Sequence, residues 1–194
     1  MAQHGNTSES RAGQRVALIL AGTGVMWIIA IWAGLMDRVY GAAVDVGSTT
    51  IAVHLCDLLS GEVLASAGVM NPQIRFGEDL MSRVSYAILH ERGAEQMTRV
   101  AREAINELLG EIVERAGVER DAVLELSLVG NPVMHHLLLG LDPAPLGQAP
   151  FQLAIDEAVE IAASALDLDL ACGTRAYVLP CIAGHVGADT AAVM

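Results

Sequence analysis

The sequence predicts a mixed α/β domain in which a five-stranded sheet carries helices on its surface. Two observations support this prediction. From about residue 42 the chain contains three short apolar stretches separated by turns, as in an antiparallel meander. Helical periodicity then alternates with two further short apolar stretches. The predicted order is therefore three strands, two helices, a strand, a helix, a second helix, a strand and a final helix.

The meander is predicted to end in a Pro-containing turn, Asn71-Pro72-Gln73, because proline cannot continue a strand ladder. Apolar residues recur at helical spacing over 95–116, and Gly117 follows as a C-cap. Gly130-Asn131-Pro132 leads from a buried strand into a helix. The predicted elements are strands 42–47, 50–57 and 62–68, helices near 76–90 and 95–116, strand 124–129, helix 133–139, loop 141–151, helix 153–166, strand 175–181, turn 184–187 and a helix from 188.

Composition limits the function. The chain has 194 residues, of which 53 % are hydrophobic, enough for one domain with a substantial core and a tail. Aromatic residues make up only 4 %, so Ala, Val, Leu and Ile must form that core. The net charge of −12 argues against nucleic acid as a partner, because such proteins need a basic surface.

The three cysteines are Cys56, Cys172 and Cys181, and their spacing matches no zinc or iron–sulfur pattern. We therefore expect no iron–sulfur cluster in this chain. An odd number of cysteines without a disulfide framework predicts reduced thiols and a cytoplasmic protein.

The N-terminus leaves two alternatives open. Residues 1–15 are small and polar and are predicted to be a disordered tail. Val16–Met36 carries no charge and is long enough for a membrane-spanning helix, which would tether the protein to a membrane. It also fits two strands, Val16–Leu20 and Val25–Ile31, and the glycines inside the segment favour this hairpin.

The turn between the first two strands of the meander predicts a phosphate site. Gly47 allows a close backbone approach, and the amides around Ser48 and Thr49 can form an anion-binding nest. Thr50 adds a third hydroxyl, and Asp45 is placed to hold Mg²⁺ through water. The alternative is structural: Asp45 caps the turn through an Asx bond, and the hydroxyl groups only satisfy turn amides.

A polar segment follows the meander in a chain with only 18 % charged residues. The density of polar and charged residues in this segment predicts a partner-binding face. The alternative is a capped helix with surface ion pairs. The residues are Asn71, Arg75, Glu78, Asp79 and Arg83.

Three separated motifs resemble the ATP-dependent reductive activators of corrinoid enzymes. The resemblance extends from about Gly34 to Met194. The order of strands and helices is similar to the ribonuclease-H-like half-domain of the actin-like ATPases, the superfold of these activators. The motifs are Met70–Tyr86, Val129–Leu138 and Leu179–Asp189.

This resemblance implies ATP and Mg²⁺ as cofactors and a corrinoid protein of a methyltransferase system as the partner. Such activators return cobalt(II) corrinoid to cobalt(I). The resemblance places Asn131 near the nucleotide cleft, although this residue also suits a helix cap. Two further hypotheses are that Asp189 faces the cleft and that His185, flanked by Gly184 and Gly187, approaches the corrinoid as a lower axial ligand. Their structural alternatives are a helix-dipole contact and a histidine packed in a turn.

The chain departs from the pattern of these activators in two ways. No cysteine precedes Cys56, so the Cys-x4-Cys-x2-Cys series of their ferredoxin-like domain is missing. No second Asp-x-Gly-Ser/Thr hairpin occurs. We therefore expect 37–194 to be the first half of the ATPase domain, truncated at its C-terminus and inactive alone, with the second half as its missing partner.

Two other functions and a metal site remain as alternatives. A small-molecule kinase of the same superfold would need a catalytic carboxylate in a substrate pocket, and none is identifiable. A non-catalytic binding fragment is the third reading. A metal site of His135, His136, Cys181 and His185 is disfavoured, because adjacent histidines point to different faces of a helix.

Overall fold

The computed structural model describes residues 16–21, 27–33, 38–184 and 186–187, and the chain divides into two units, 1–37 and 38–194. In the first unit, strands β1 (Val16–Ala21) and β2 (Trp27–Ala33) pair antiparallel. Within the described ranges, no helix is long and apolar enough to cross a membrane. The predicted disordered tail, residues 1–15, lies outside the described residues.

The second unit is built on a six-stranded mixed sheet with the strand order β5-β4-β3-β6-β8-β7. Its strands are β3 (Tyr40–Val46), β4 (Thr50–Asp57), β5 (Val63–Met70), β6 (Val123–Gly130), β7 (Val159–Ala162) and β8 (Arg175–Val178). Its α-helices are α1 (Leu80–Leu89), α2 (Gly93–Ala116) and α3 (Pro132–Leu139).

The pairing pattern confirms the predicted fold class. Strands β3, β4 and β5 form an antiparallel meander, and β6 and β8 extend the sheet in parallel on the other side of β3. This is the arrangement of the ribonuclease-H-like half of the actin-like ATPases. Because β3 and β6 are parallel, the turns that follow them meet at the same edge of the sheet.

One predicted helix is wrong. The segment predicted as helix 153–166 contains β7, which pairs antiparallel with β8 as a sixth strand, and a short 3₁₀ helix, Ala163–Leu166. A short exposed helix would be stabilised only by its own hydrogen bonds, whereas this strand gains hydrogen bonds from its pairing with β8. The backbone N–H of Ala163 continues the contact by donating to Thr174 O at 2.9 Å.

A second difference concerns the segment after the meander. A 3₁₀ helix, Pro72–Phe76, comes first, and α1 begins only at Leu80. Asp79 caps α1, because its side chain accepts a hydrogen bond from Ser82 N at 2.7 Å. The predicted final helix, 188–194, lies outside the described residues.

The core lies between the sheet and its helices. The apolar face of α2 is buried against the strands, as its periodicity predicts, and Gly117 ends the helix in the left-handed conformation with φ of 65°. Residues alternate along β3, so that Val44 and Val46 enter the core whereas Asp45 is exposed on the opposite face of the sheet.

Candidate functional site

The candidate site is the turn between β3 and β4, at the sheet edge where β3 and β6 end. A Cβ atom on Gly47 would lie 2.6 Å from Thr50 O, closer than real Cβ contacts allow. The predicted requirement for glycine therefore has a geometric cause. The backbone folds back on itself here, leaving no room for a side chain.

The carbonyl groups of this turn point into the protein. Gly47 O accepts from Asn71 Nδ2 at 2.8 Å, Ser48 O from Arg83 Nη2 at 2.6 Å, and Thr49 O from Asn71 N at 2.8 Å. In a planar trans peptide the N–H of the next residue points the opposite way. The N–H groups of Ser48 and Thr49 therefore point away from these anchors.

Those two N–H groups remain available. Among the described residues, neither the Ser48 nor the Thr49 N–H donates a hydrogen bond to the protein. Ser48 is half-buried, whereas Thr49 and Thr50 are exposed. Adjacent outward amides with hydroxyl groups beside them form the kind of nest that binds anions.

The anchors of the turn correct the prediction of a partner-binding face. Asn71 and Arg83 are 0 % exposed, so in this structure they hold the hairpin and have no surface to offer a partner. Gln73 joins them: its backbone N–H donates to Asn71 Oδ1 at 2.9 Å, and its Nε2 donates to Met97 O at 3.0 Å. The density of polar residues was visible in the sequence, but the direction of their side chains was not.

The rest of the predicted face is exposed. Arg75, Glu78 and Asp79 lie on the surface, and the Arg75 guanidinium stacks 4.8 Å from the centroid of the Phe76 ring. The backbone N–H of Ser82 and, to a smaller extent, its side chain donate hydrogen bonds to Asp79, and these bonds lower the pKa of the Asp79 carboxyl below its usual value. The predicted partner face is thus reduced to these three residues.

Arg83 is a cation held inside the protein. Burial lowers the pKa of its guanidinium, and the attraction of Asp79 opposes that change. A guanidinium still keeps its proton in such an environment, because its ordinary pKa is so high. Within the described part of the chain, no carboxylate forms a salt bridge with it.

Asn131 lies beside the hairpin. Gly130 is in register with Val46, and a Cβ on Gly130 would be 3.0 Å from Val46 O. The Oδ1 atom of Asn131 accepts from Met134 N at 3.1 Å and caps α3, as its structural alternative predicts. In the described ranges its Nδ2 group donates no hydrogen bond, so it can still serve a ligand at this edge.

Asp45 is the residue proposed to hold Mg²⁺. Asp45 is exposed one residue before the end of β3, and a single carboxylate suits Mg²⁺ that keeps most of its water. No group of three potential His, Cys, Asp or Glu ligands occurs within the described residues. His185 and Asp189 lie outside these residues.

His135 and His136 on α3 are both buried. The Nδ1 atom of His136 is 2.8 Å from Pro132 O, and its Nε2 accepts from Ala154 N at 2.9 Å. The ring nitrogens of His135 have no hydrogen-bond partner among the residues that the structure describes. Burial, reinforced by His136, lowers the pKa of His135 to about 4, and burial also lowers that of His136. Both rings are therefore neutral at physiological pH.

Sequence reasoning missed Gln73 and Met134. Gln73 binds the backbone of α2, and the Met134 sulfur lies 3.4 Å from Arg83 Nη1 and 3.6 Å from Asn71 Nδ2. An Asn-Pro-Gln turn is a signal that could have found Gln73, because polar residues in such a turn often anchor backbone groups. A methionine on an apolar helix face carries no comparable signal.

The strand order and the hairpin together define a half-domain of the actin-like ATPase class. The family described as RACo middle region matches residues 40–194, and the chain belongs to this family. The chain is 32 % identical over 158 residues to a corrinoid activation enzyme, RamQ, of Eubacterium limosum. This match covers 80 % of the chain but only 26 % of that enzyme.

A solved structure gives the same result. The chain superimposes on a reductive activator for corrinoid, iron–sulfur protein with a TM-score of 0.85 and 32 % sequence identity. The match covers 90 % of this chain and 28 % of that protein. The chain therefore spans about a quarter of the length of each of these relatives.

Proposed function

We propose that this chain supplies the first phosphate-binding half of the ATPase domain in a reductive activator of corrinoid proteins. The observation that supports this function is the hairpin, in which the carbonyls of Gly47, Ser48 and Thr49 are anchored inward and two amides face outward. The names of the relatives, a corrinoid activation enzyme and a reductive activator, support this proposal. In it, the whole activator would return cobalt(II) corrinoid to cobalt(I) at the expense of ATP.

The residues around the hairpin suit ATP with Mg²⁺. The N–H groups of Ser48 and Thr49, with the hydroxyl of Thr50, would bind phosphate oxygens, and Asn131 Nδ2 would add a donor from the adjacent strand end. Asp45 would hold Mg²⁺ through water molecules. When bound, ATP would supply the free energy for an electron transfer that is otherwise unfavourable.

Half of a nucleotide cleft should bind weakly. In this superfold the nucleotide lies between two halves, and each contributes a phosphate loop, whereas the described residues contain one such hairpin. Each charge-assisted hydrogen bond missing from the second loop would weaken binding by about tenfold or more. We expect the chain alone to bind ATP in roughly the millimolar range, and the second half added in trans to restore tighter binding and hydrolysis.

The test of this function uses Asn131. Replacing it with aspartate keeps the helix cap but places a negative charge beside the phosphate site, so ATP binding should weaken about tenfold. Replacing it with serine also keeps the cap and should weaken binding only slightly. Isothermal titration of the chain, alone and with the second half in trans, measures both. Equal affinity for the aspartate and serine variants would exclude a phosphate beside Asn131.

The exposed face of Arg75, Glu78 and Asp79 is proposed to contact the corrinoid protein. Reversing one charge at an interface rim mainly slows association, so Arg75→Glu should weaken binding to the corrinoid protein about three- to tenfold. Arg92→Glu is the matched control, because Arg92 is equally a surface residue but lies elsewhere, before α2. Surface plasmon resonance with both variants would disprove the contact if they behaved alike.

A further inference from the structure

Arg83 occupies the space directly beneath the phosphate hairpin. We infer that it is a positioning residue for the anion: it fixes the peptide group that exposes the Thr49 amide and places a buried positive charge behind it. The inference rests on the proposed phosphate-binding function.

The position of the guanidinium is fixed from two directions. Arg83 Nη2 donates to Ser48 O at 2.6 Å, and Nε donates to Gly77 O at 2.9 Å. A Cβ on Gly77 would lie 2.7 Å from Arg83 N, so the backbone that supplies the second acceptor packs tightly against the start of α1. The Oε1 atom of Gln73 and the sulfur of Met134, each 3.4 Å from Nη1, complete the surroundings.

This arrangement determines the direction of one amide. The Ser48 carbonyl and the Thr49 N–H belong to the same peptide group and point in opposite directions. As long as Arg83 holds the Ser48 oxygen, the Thr49 N–H faces outward. If the oxygen were released, the peptide could rotate and remove one donor from the site.

No carboxylate among the described residues forms a salt bridge with Arg83. Asp79, the carboxylate whose attraction acts on it, is exposed and caps α1 through Ser82. Ser48, Gly77 and Gln73 offer only neutral oxygens. An anion bound by the hairpin amides would lie one peptide group away from the guanidinium, where charges interact more strongly than in water. A bound phosphate would therefore place a negative charge close to this buried guanidinium.

The experiment titrates inorganic pyrophosphate into the isotope-labelled chain and follows the backbone amides of Ser48 and Thr49 by NMR. Arg83→Gln removes the charge but keeps an N–H donor. Arg83→Lys keeps the charge but loses the planar, forked set of N–H donors. We expect about tenfold weaker binding for the glutamine variant and a smaller loss for lysine. Arg99→Gln, an exposed arginine on α2, is the control and should bind as the wild type does.

A folded Arg83→Gln variant that binds pyrophosphate with unchanged affinity would overturn the inference while leaving the proposed function intact. If the variant fails to fold, the wild-type chain provides the test. Its Arg83 Nε–H resonance should shift on adding pyrophosphate, and that of Arg99 should not. An unchanged Arg83 resonance, with shifted hairpin amides, would also overturn the inference. If the hairpin amides of the wild type do not respond at all, the proposed function itself fails.

Discussion

Replacing Gly47 with alanine should abolish measurable binding of pyrophosphate and ATP. The new Cβ would meet Thr50 O at 2.6 Å, and a backbone atom in a sheet cannot move aside easily. The turn would have to open, which would pull the carbonyls of residues 47–49 away from Asn71 and Arg83. We expect binding to fall by more than about tenfold and the free energy of unfolding by about 1–3 kcal/mol.

Isothermal titration and urea unfolding measure these two effects. Gly110→Ala in α2 is the matched control: the nearest atoms to its Cβ belong to the Arg120 guanidinium, which bonds Asn106 O and Asp169 Oδ2, and not to the hairpin. That variant should bind like the wild type and unfold within about 1 kcal/mol of it. A Gly47→Ala variant with normal affinity and stability would show that the turn tolerates a side chain and is not built as proposed.

Replacing His135 with leucine should make the protein less sensitive to acid. Folding lowers the pKa of His135 from its ordinary 6.5 to about 4. Because the unfolded chain binds this proton more readily, the wild type loses stability as the pH falls from about 6.5 towards 4. At about pH 5 the loss from this group is about 2 kcal/mol, and leucine removes it.

Urea unfolding at about pH 7.5 and about pH 5 tests this result, and His136→Leu is the control. The His135 ring makes no hydrogen bond within the described part of the chain, so the leucine variant should be about as stable as the wild type at the higher pH. His136 binds Pro132 O and Ala154 N, and its loss should cost about 1–3 kcal/mol at the higher pH. The cost should be smaller at about pH 5, because the lowered pKa of His136 also makes the wild type sensitive to acid. The prediction fails if His135→Leu retains the full acid sensitivity of the wild type.

The elements with strong local signals could be predicted from the sequence. The helical period of 95–116 and the glycine after it predicted α2 and its end, because both depend on residues within one turn of each other. The apolar runs around the hairpin predicted β3 and β4 for the same reason. The prediction of a helix for the segment containing β7 is wrong. Its four residues form a strand because they pair with β8, and the local sequence does not reveal that pairing.

The sequence by itself determined the hairpin, its glycine and the family motifs, since these are patterns of neighbouring residues. Only the tertiary structure decided what surrounds the hairpin. Asn71 and Arg83 reach Gly47 and Ser48 across 24 and 35 residues, and a pattern of polar residues does not reveal whether they turn inward or outward. The carbonyl groups of the turn determine the direction of these side chains, because burying a carbonyl without a hydrogen-bond partner is costly. The donors of Asn71 and Arg83 therefore lie beneath the turn, and its amides remain free for an anion.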